Sequence, residues 1–63
     1  MEVDLRITLK LIGRAVRLMF EDNIPLGKEN IIAQIQAMSL TVAHADELIY
    51  YQLAIQLLSE QGH

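Results

Sequence analysis

The sequence contains no cysteine and no tryptophan, and it has a single proline and a single phenylalanine. Without cysteine, the chain forms neither disulfide bonds nor thiolate metal sites. No uninterrupted apolar run approaches the roughly 20 residues that span a membrane. The segment Met1-Glu2-Val3-Asp4 is acidic, which is atypical of a secretory signal. We therefore expect a complete, short cytoplasmic protein without a membrane anchor.

Hydrophobic residues are abundant for so short a chain, at 52% of 63 residues, and the formal net charge is -3. A single domain of this length hides too little surface to be very stable alone. A second copy would bury the excess apolar side chains. We predict one helical dimerisation and regulatory domain over residues 1–63. Its net charge is unlike that of the usual basic nucleic-acid-binding domain.

Apolar periodicity predicts an all-α fold with three helices, over residues 4–20, 28–38 and 42–59. Pro25 and Gly27 separate the first helix from the second. Between the second and third helices, Ser39 or Thr41 is the candidate N-cap of the third helix. No glycine or proline lies at this junction, so one continuous helix is the alternative. Residues 60–63 are predicted to fray.

The first and third helices each carry two apolar stripes at about 100° per residue. The stripes of the first helix are Leu5, Leu9, Ile12, Val16 and Met19, and then Ile7, Leu11 and Leu18, with Ala15 between them. Those of the third helix are Leu48, Tyr51, Ile55 and Leu58, and then Ile49, Tyr50, Leu53 and Leu57. The second helix has one such face, made of Ile31, Ile35 and Met38. The first stripe of each two-sided helix is assigned to the core of the chain.

The second stripes predict a homodimer, intertwined or side by side, in which the first and third helices pack on their copies. The predicted interface is Ile7, Leu11, Leu18, Ile49, Tyr50, Leu53 and Leu57. A monomer with a large exposed apolar surface is the alternative, and such surfaces are rare on monomers.

Four of the five cations lie on one line along the first helix, at spacings of four, four and three residues. They are Arg6, Lys10, Arg14 and Arg17, here called the basic row. Duplicated in a dimer, the basic row would form a positive ridge suited to DNA phosphates or to an acidic protein surface. The simpler alternative is a solvated face whose cations pair with acids elsewhere in the fold.

Few residues suggest catalysis or a bound cofactor. His44, Asp46 and Glu47 point to different sides of a helix, so an acidic first turn explains them better than a metal site. Gly13 is a lone glycine inside a helix and indicates close helix–helix approach. Tyr50 is expected at the interface, not as a platform for nucleic-acid bases. We predict no catalytic residue, no metal, no cofactor and no enzymatic activity.

A family resemblance adds to these patterns. The segment Leu11-Ile12-Gly13-Arg14-Ala15-Val16, followed by Leu18-Met19, resembles the first helix of the AriR/YmgB family of small bacterial biofilm and acid-resistance regulators. Lys28-Glu29-Asn30-Ile31-Ile32 continues the resemblance at the start of the second helix, and the third helix matches in pattern. The resemblance covers most of the chain, from Leu9 to Leu58. The sequence departs from the family in lacking a long extension before the first helix.

The resemblance implies a small, dimeric two-component-system connector that feeds into the Rcs phosphorelay and tunes biofilm matrix, motility and acid resistance. It also implies a possible DNA-binding role, through likeness to the Hha-type nucleoid modulators. We accordingly expect a regulator that binds a signalling or transcription-regulator protein. The alternatives are a DNA-binding transcriptional modulator that uses the basic row, and a structural oligomerisation module.

Overall fold

The computed structural model describes residues 4–60, and all regular structure within that range is helical. Its elements are α1 (Leu5–Glu21), α2 (Lys28–Ser39), a 3-10 turn (Ala45–Glu47) and α3 (Leu48–Glu60). This confirms the predicted all-α fold of three helices. Fraying was predicted for residues 60–63, but Glu60 is still helical as the last residue of α3, and residues 61–63 lie outside the described residues. Within residues 4–60, no helix has the length and apolarity needed to cross a membrane.

The end of α1 is fixed by hydrogen bonds that pass through a left-handed residue. Asn23 has a φ of 57°, a backbone conformation that Asn tolerates better than most residues. The Ile24 amide donates to the Met19 carbonyl at 2.8 Å, and the Asn23 amide donates to the Phe20 carbonyl at 3.3 Å. This pair of bonds is a Schellman motif. It ends α1 before Pro25, where the sequence predicted a break.

The loop then leads directly into α2, which begins at the predicted residue, Lys28. Gly27 is the N-cap, and its carbonyl accepts from the Ile31 amide at 2.9 Å. The Asn30 side-chain amide donates to the Pro25 carbonyl at 3.0 Å. These bonds connect the loop to the first turn of α2.

The junction between α2 and α3 differs from the prediction. Ser39 donates its hydroxyl to the Gln36 carbonyl at 2.6 Å, and Thr41 donates its hydroxyl to the Met38 carbonyl at 2.9 Å. Both hydroxyls therefore satisfy carbonyls at the end of α2. The prediction that one of them caps the third helix is wrong.

The third helix also begins later than predicted. The chain is non-helical from Leu40 to His44, and the 3-10 turn starts at Ala45, three residues beyond the expected start at Val42. His44 is extended, with φ -118° and ψ 123°. The alternative of one continuous helix is therefore wrong, because the chain reverses here to bring α3 against both α1 and α2.

The core is small, and along α1 it shares only part of the predicted first stripe. The buried hydrophobic residues are Ala15, Met19, Ile35, Tyr51 and Ala54, and Thr8 is fully buried beside them in α1. Leu5 and Leu9, assigned to the core from the sequence, are exposed. Thr8, Ala15 and Met19 occupy the centre of the inner face. Of the first stripe, Met19 is buried and Ile12 packs against the core as predicted, whereas Leu5 and Leu9 do not.

The other predicted core faces are found where the sequence placed them. Tyr51 is buried, and Ile55 and Leu58 pack against the core from α3. Ile35 is the fully buried residue of α2, with Ile31 and Met38 packed beside it. Leu11, predicted at the dimer interface, also packs against this core.

Candidate binding surface on the first helix

The basic row is exposed along α1. All four of its members, Arg6, Lys10, Arg14 and Arg17, lie on the solvent-facing side. Helical spacing places them away from the line of Thr8, Ala15 and Met19, which faces the core. The row is therefore accessible to another molecule over most of the helix.

Carboxylates of the same chain pair with the two ends of the row. The Arg6 guanidinium donates to Asp4 at 3.2 Å and 3.3 Å, through Nε and Nη2. The Arg17 Nε donates to Glu21 Oε1 at 3.3 Å. Both pairs are largely exposed, and such pairs contribute little to stability. They do reduce the positive charge that the ends of the row present.

Asp4 has a second role, because it is the N-cap of α1. Its carboxylate accepts from the Arg6 backbone amide at 2.9 Å. The side-chain and backbone hydrogen bonds from Arg6 both lower the pKa of Asp4, and the nearby Lys10 charge adds to this in a smaller degree. The same carboxylate thus starts the helix and neutralises the first cation of the basic row.

The middle of the row is different. Within residues 4–60, neither Lys10 nor Arg14 has a carboxylate oxygen within 4.0 Å of its charged nitrogens. The prediction that acids elsewhere in the fold pair with these cations therefore applies to the ends of the row and not to its middle. Positive charge is most available to a partner at Lys10 and Arg14.

Arg14 lies where two neighbouring grooves between α1 and the α3 region meet. The first groove, of about 270 Å³, is lined by Ile7, Leu11, Arg14, Glu47, Tyr50 and Tyr51. The second, of about 420 Å³, adds Leu18 and residues of the α2–α3 junction and shares Arg14, Glu47 and Tyr51 with the first. The structure thus brings together four predicted interface residues, Ile7, Leu11, Leu18 and Tyr50. Glu47, which the sequence analysis placed only in an acidic first turn, lies in the same grooves.

The remaining predicted interface residues lie elsewhere. Leu57 lines a third groove, of about 560 Å³, with Leu9, Ile12, Lys28, Ile31 and Leu58. Ile49 and Leu53 are half-buried, and helical spacing places them opposite Tyr51 and Leu58, which pack inward. The predicted interface is therefore spread over more than one face of a single chain.

The most exposed apolar side chains of α1 are not in the predicted interface. Phe20, Leu9 and Leu5 are 75%, 62% and 59% exposed, compared with 39% for Ile7. This surface was not predicted from the sequence, because Leu5 and Leu9 lie on the stripe assigned to the core and Phe20 lies on neither predicted stripe. The spacing of Thr8, Ala15 and Met19 was the available signal, since it marks the true inner line of the helix.

The described residues offer no arrangement for metal chemistry. Within residues 4–60, no group of three or more His, Asp or Glu side chains is placed to hold one ion. His44, Asp46 and Glu47 are all exposed. A Cβ built on Gly13 would find no atom of another element within 4 Å, so the predicted close helix approach at Gly13 does not occur among the described residues.

No protein-family model, curated protein or solved structure matches this chain. The surfaces of the molecule itself must therefore support any assignment of function.

Proposed function

We propose that this protein is a non-enzymatic regulator that acts as a homodimer by binding another protein. The observation that carries the proposal is the contrast between its core and its surface. Five hydrophobic residues are buried among residues 4–60, and two of them are alanines. Leu5, Leu9 and Phe20 are meanwhile more than half exposed on one helix. Exposed apolar surface of this kind marks an interaction site.

The total surface area supports association. The chain exposes 4793 Å², whereas a folded monomer of 7.1 kDa is expected to expose about 4,100 Å². The chain thus exposes about 700 Å² more than an average compact monomer of its mass, which is the direction expected of a subunit that buries part of its surface against a partner. A second copy is the simplest occupant, because it is always present with the first.

The basic row supports a further, acidic partner. Lys10 and Arg14 provide charge that no carboxylate of residues 4–60 pairs, and Arg14 lies in one groove with the apolar side chains of Ile7 and Leu11. A protein surface with carboxylates beside apolar side chains complements this arrangement. By its resemblance to the AriR/YmgB family, we place the protein in the cytoplasm as a connector to a phosphorelay that controls biofilm and acid resistance.

Sedimentation equilibrium tests the oligomeric part of the proposal. We expect a mass near twice 7.1 kDa at micromolar concentration. A mass above the dimer would favour the structural oligomerisation module instead. A monomer at all accessible concentrations would contradict the proposal.

Phosphotransfer tests the regulatory part. Purified kinase, phosphotransfer and regulator domains of the phosphorelay are mixed with this protein, and the rate of phosphate transfer is followed. We expect a rate change that saturates as the protein concentration rises and that Arg14→Glu weakens. An unchanged rate, without binding to any of the domains, would contradict the connector assignment.

DNA binding is the second candidate function, favoured by the exposure of all four cations of the basic row. Anisotropy of a labelled duplex at low and near-physiological salt tests it. Micromolar binding should weaken by nearly one log unit per phosphate contact for each tenfold rise in salt. Glu47, which lies in both grooves beside Arg14, would repel phosphate, so we rank this candidate second.

A further inference from the structure

One face of α1 contributes no buried side chain to the core of residues 4–60. Leu5, Leu9, Gly13, Val16 and Phe20 recur every three or four residues, which places them within an arc of roughly 80° on the helix. This set is called the outer face. Leu5, Leu9 and Phe20 are largely exposed, Gly13 is exposed and Val16 is half-buried. An apolar stripe of this length normally faces another packed element.

Gly13 gives a second, independent indication. Glycine in the middle of a helix is less favourable than alanine by about 1 kcal/mol, and apart from the backbone of α1 itself no atom of the described residues 4–60 lies within 4 Å of a Cβ built there. The fold of one chain therefore gives no reason for a glycine at this position. Close approach of a second helix from outside the chain would give one, because a missing side chain lets two backbones come together.

We propose that the outer face packs against the outer face of a second copy, with the two α1 helices antiparallel and the twofold axis passing beside Gly13. This inference rests on the proposed homodimer and names its interface. It differs from the interface predicted from the sequence, because Leu11 packs against the core of its own chain. The grooves that hold Ile7 and Tyr50 also contain the charged side chains of Arg14 and Glu47.

The position of Gly13 suits a twofold axis. Eight residues of α1 precede it and eight follow it. In an antiparallel pair centred there, Leu5 and Leu9 of one copy face the Val16 and Phe20 end of the other. Both helices then contact along their whole length of about 25 Å, at roughly 1.5 Å per residue. Antiparallel pairing also places opposite ends of the two helix dipoles together.

The neighbouring groove enlarges the contact. Leu9 belongs both to the outer face and to the 560 Å³ groove lined by Ile12, Ile31, Leu57 and Leu58, with Lys28 as its charged residue. Apolar side chains of the second copy that pass over Leu9 can enter this groove. The outer face and the groove are therefore joined at Leu9 into one apolar surface.

The same symmetry brings the two basic rows together. The proposed twofold axis runs between the two helices and perpendicular to them. Residues that lie to one side of the outer face along this axis in the first copy therefore lie to the same side in the second copy. The basic rows lie beside the outer face, so they meet along a single edge of the dimer. Lys10 and Arg14 of each copy, which have no carboxylate partner within residues 4–60, then form a ridge that a monomer lacks and that is available to the acidic partner.

The first test compares two leucine-to-glutamate variants. Leu9 is 62% exposed and lies on the outer face, whereas Leu40 is 86% exposed and lies in the α2–α3 junction. Leu9→Glu would bury two carboxylates at the dimer contact, and we expect it to raise the dimer dissociation constant by about 100-fold or more. Leu40→Glu should leave the constant unchanged. Sedimentation measures both, and circular dichroism confirms that each variant remains helical.

The second test uses disulfide cross-linking. Because the sequence has no native cysteine, any disulfide must form through the introduced residue. Gly13→Cys places two thiols beside the proposed axis, within the roughly 4–7 Å between Cα atoms that a disulfide requires. Under mild oxidation it should form a linked dimer. Gly27→Cys, at another exposed glycine in open space, should stay largely unlinked. Leu5→Cys should also stay unlinked, because antiparallel pairing separates its two copies by about 24 Å.

These tests distinguish a wrong interface from a wrong homodimer assignment. If the wild-type protein is a dimer but Leu9→Glu does not weaken it and Gly13→Cys does not link, the proposed interface is wrong and the homodimer stands. Efficient linking of Leu5→Cys would show parallel helices and overturn the antiparallel arrangement. A monomeric wild-type protein would overturn both the interface and the homodimer.

Discussion

Asp4 and Arg6 are joined through both the backbone and the side chain of the arginine. The Asp4 carboxylate accepts from the Arg6 amide at 2.9 Å and from its guanidinium at 3.2 Å and 3.3 Å. The start of α1 and the first cation of the basic row therefore depend on one ionised carboxyl group. Protonation of Asp4 weakens the cap and releases the charge of Arg6 at the same time.

The first prediction concerns acid. Hydrogen bonds from Arg6 lower the pKa of Asp4 below its ordinary value of 3.8, so Asp4 stabilises the fold above that value. This contribution is lost as the pH falls through the lowered pKa. Titration of the Asp4 carboxyl by NMR should give a midpoint below 3.8.

Asp4→Asn is the control for this titration, because asparagine is also a good N-cap but carries no charge. The melting temperature of Asp4→Asn should therefore fall less on acidification than that of the wild-type protein, because the variant has no carboxyl group to protonate at this position. If wild type and Asp4→Asn lose stability in parallel from neutral pH to pH values below 3.8, the Asp4–Arg6 pair has no linked role.

The second prediction concerns Thr8. Its side chain is fully buried, and its hydroxyl has no hydrogen-bond partner among residues 4–60. Thr8→Val keeps the shape and removes the unpaired polar group, so it should stabilise the protein by about 1 kcal/mol. The melting temperature should rise by roughly 4–8 °C. Thr41→Val is the matched control, because the Thr41 hydroxyl is exposed and bonded to Met38, and it should give no gain.

The third prediction concerns Ile35, the residue through which α2 enters the core. Ile35→Ala should destabilise the protein by about 2–5 kcal/mol. A core in this size range supplies only about 3–5 kcal/mol in total, so much of the variant should be unfolded at 25 °C. Ile32→Ala removes the same atoms from a half-buried position and should be milder. Urea denaturation measures both, and equal losses would show that the core is not centred on Ile35.

The fourth prediction concerns the stop signal after α1. Asn23 has a φ of 57°, so Asn23→Ala places a Cβ in a conformation that is unfavourable by about 1–2 kcal/mol. Asn23→Gly should be neutral or slightly stabilising, since glycine adopts this conformation freely. The melting temperature should therefore be highest or unchanged for Asn23→Gly, intermediate for the wild-type protein and lowest for Asn23→Ala. A more stable alanine variant would contradict the Schellman motif.

The fifth prediction separates the cations of the basic row. Arg6 and Arg17 are paired with Asp4 and Glu21, whereas Lys10 and Arg14 have no partner within residues 4–60. Alanine at Lys10 or Arg14 should weaken binding to an acidic partner more than alanine at Arg6 or Arg17. For a DNA duplex as probe, each important cation removed should lower the salt slope by about 1. Equal effects at all four positions would contradict this ranking.

The sequence was sufficient to predict the helices, but not which side of α1 faces inward. Pro25 and Gly27 marked the first break, and the predicted start of α2 at Lys28 is correct. On α1, periodicity alone gave two equivalent stripes, because Leu5 and Leu11 are equally apolar. In the structure, the line that faces inward is Thr8, Ala15 and Met19. Ala15 is small enough to lie against the core there.

The α2–α3 junction shows a second limit. A serine or threonine near a helix boundary can accept from the helix that follows or donate to the helix that precedes. Ser39 and Thr41 both donate backwards, and the sequence has no feature that distinguishes the two choices. The pairing of Arg17 with Glu21, by contrast, follows directly from their four-residue spacing on one helix.

The small size of the core has a thermal consequence. The enthalpy of unfolding scales with chain length at about 0.7 kcal/mol per residue, so a chain of 63 residues absorbs only about 40 kcal/mol when it melts. With that enthalpy, the transition extends over a wide range of temperature. Warming by a few degrees would then change the folded fraction gradually, and the amount of active protein would follow temperature as a graded response.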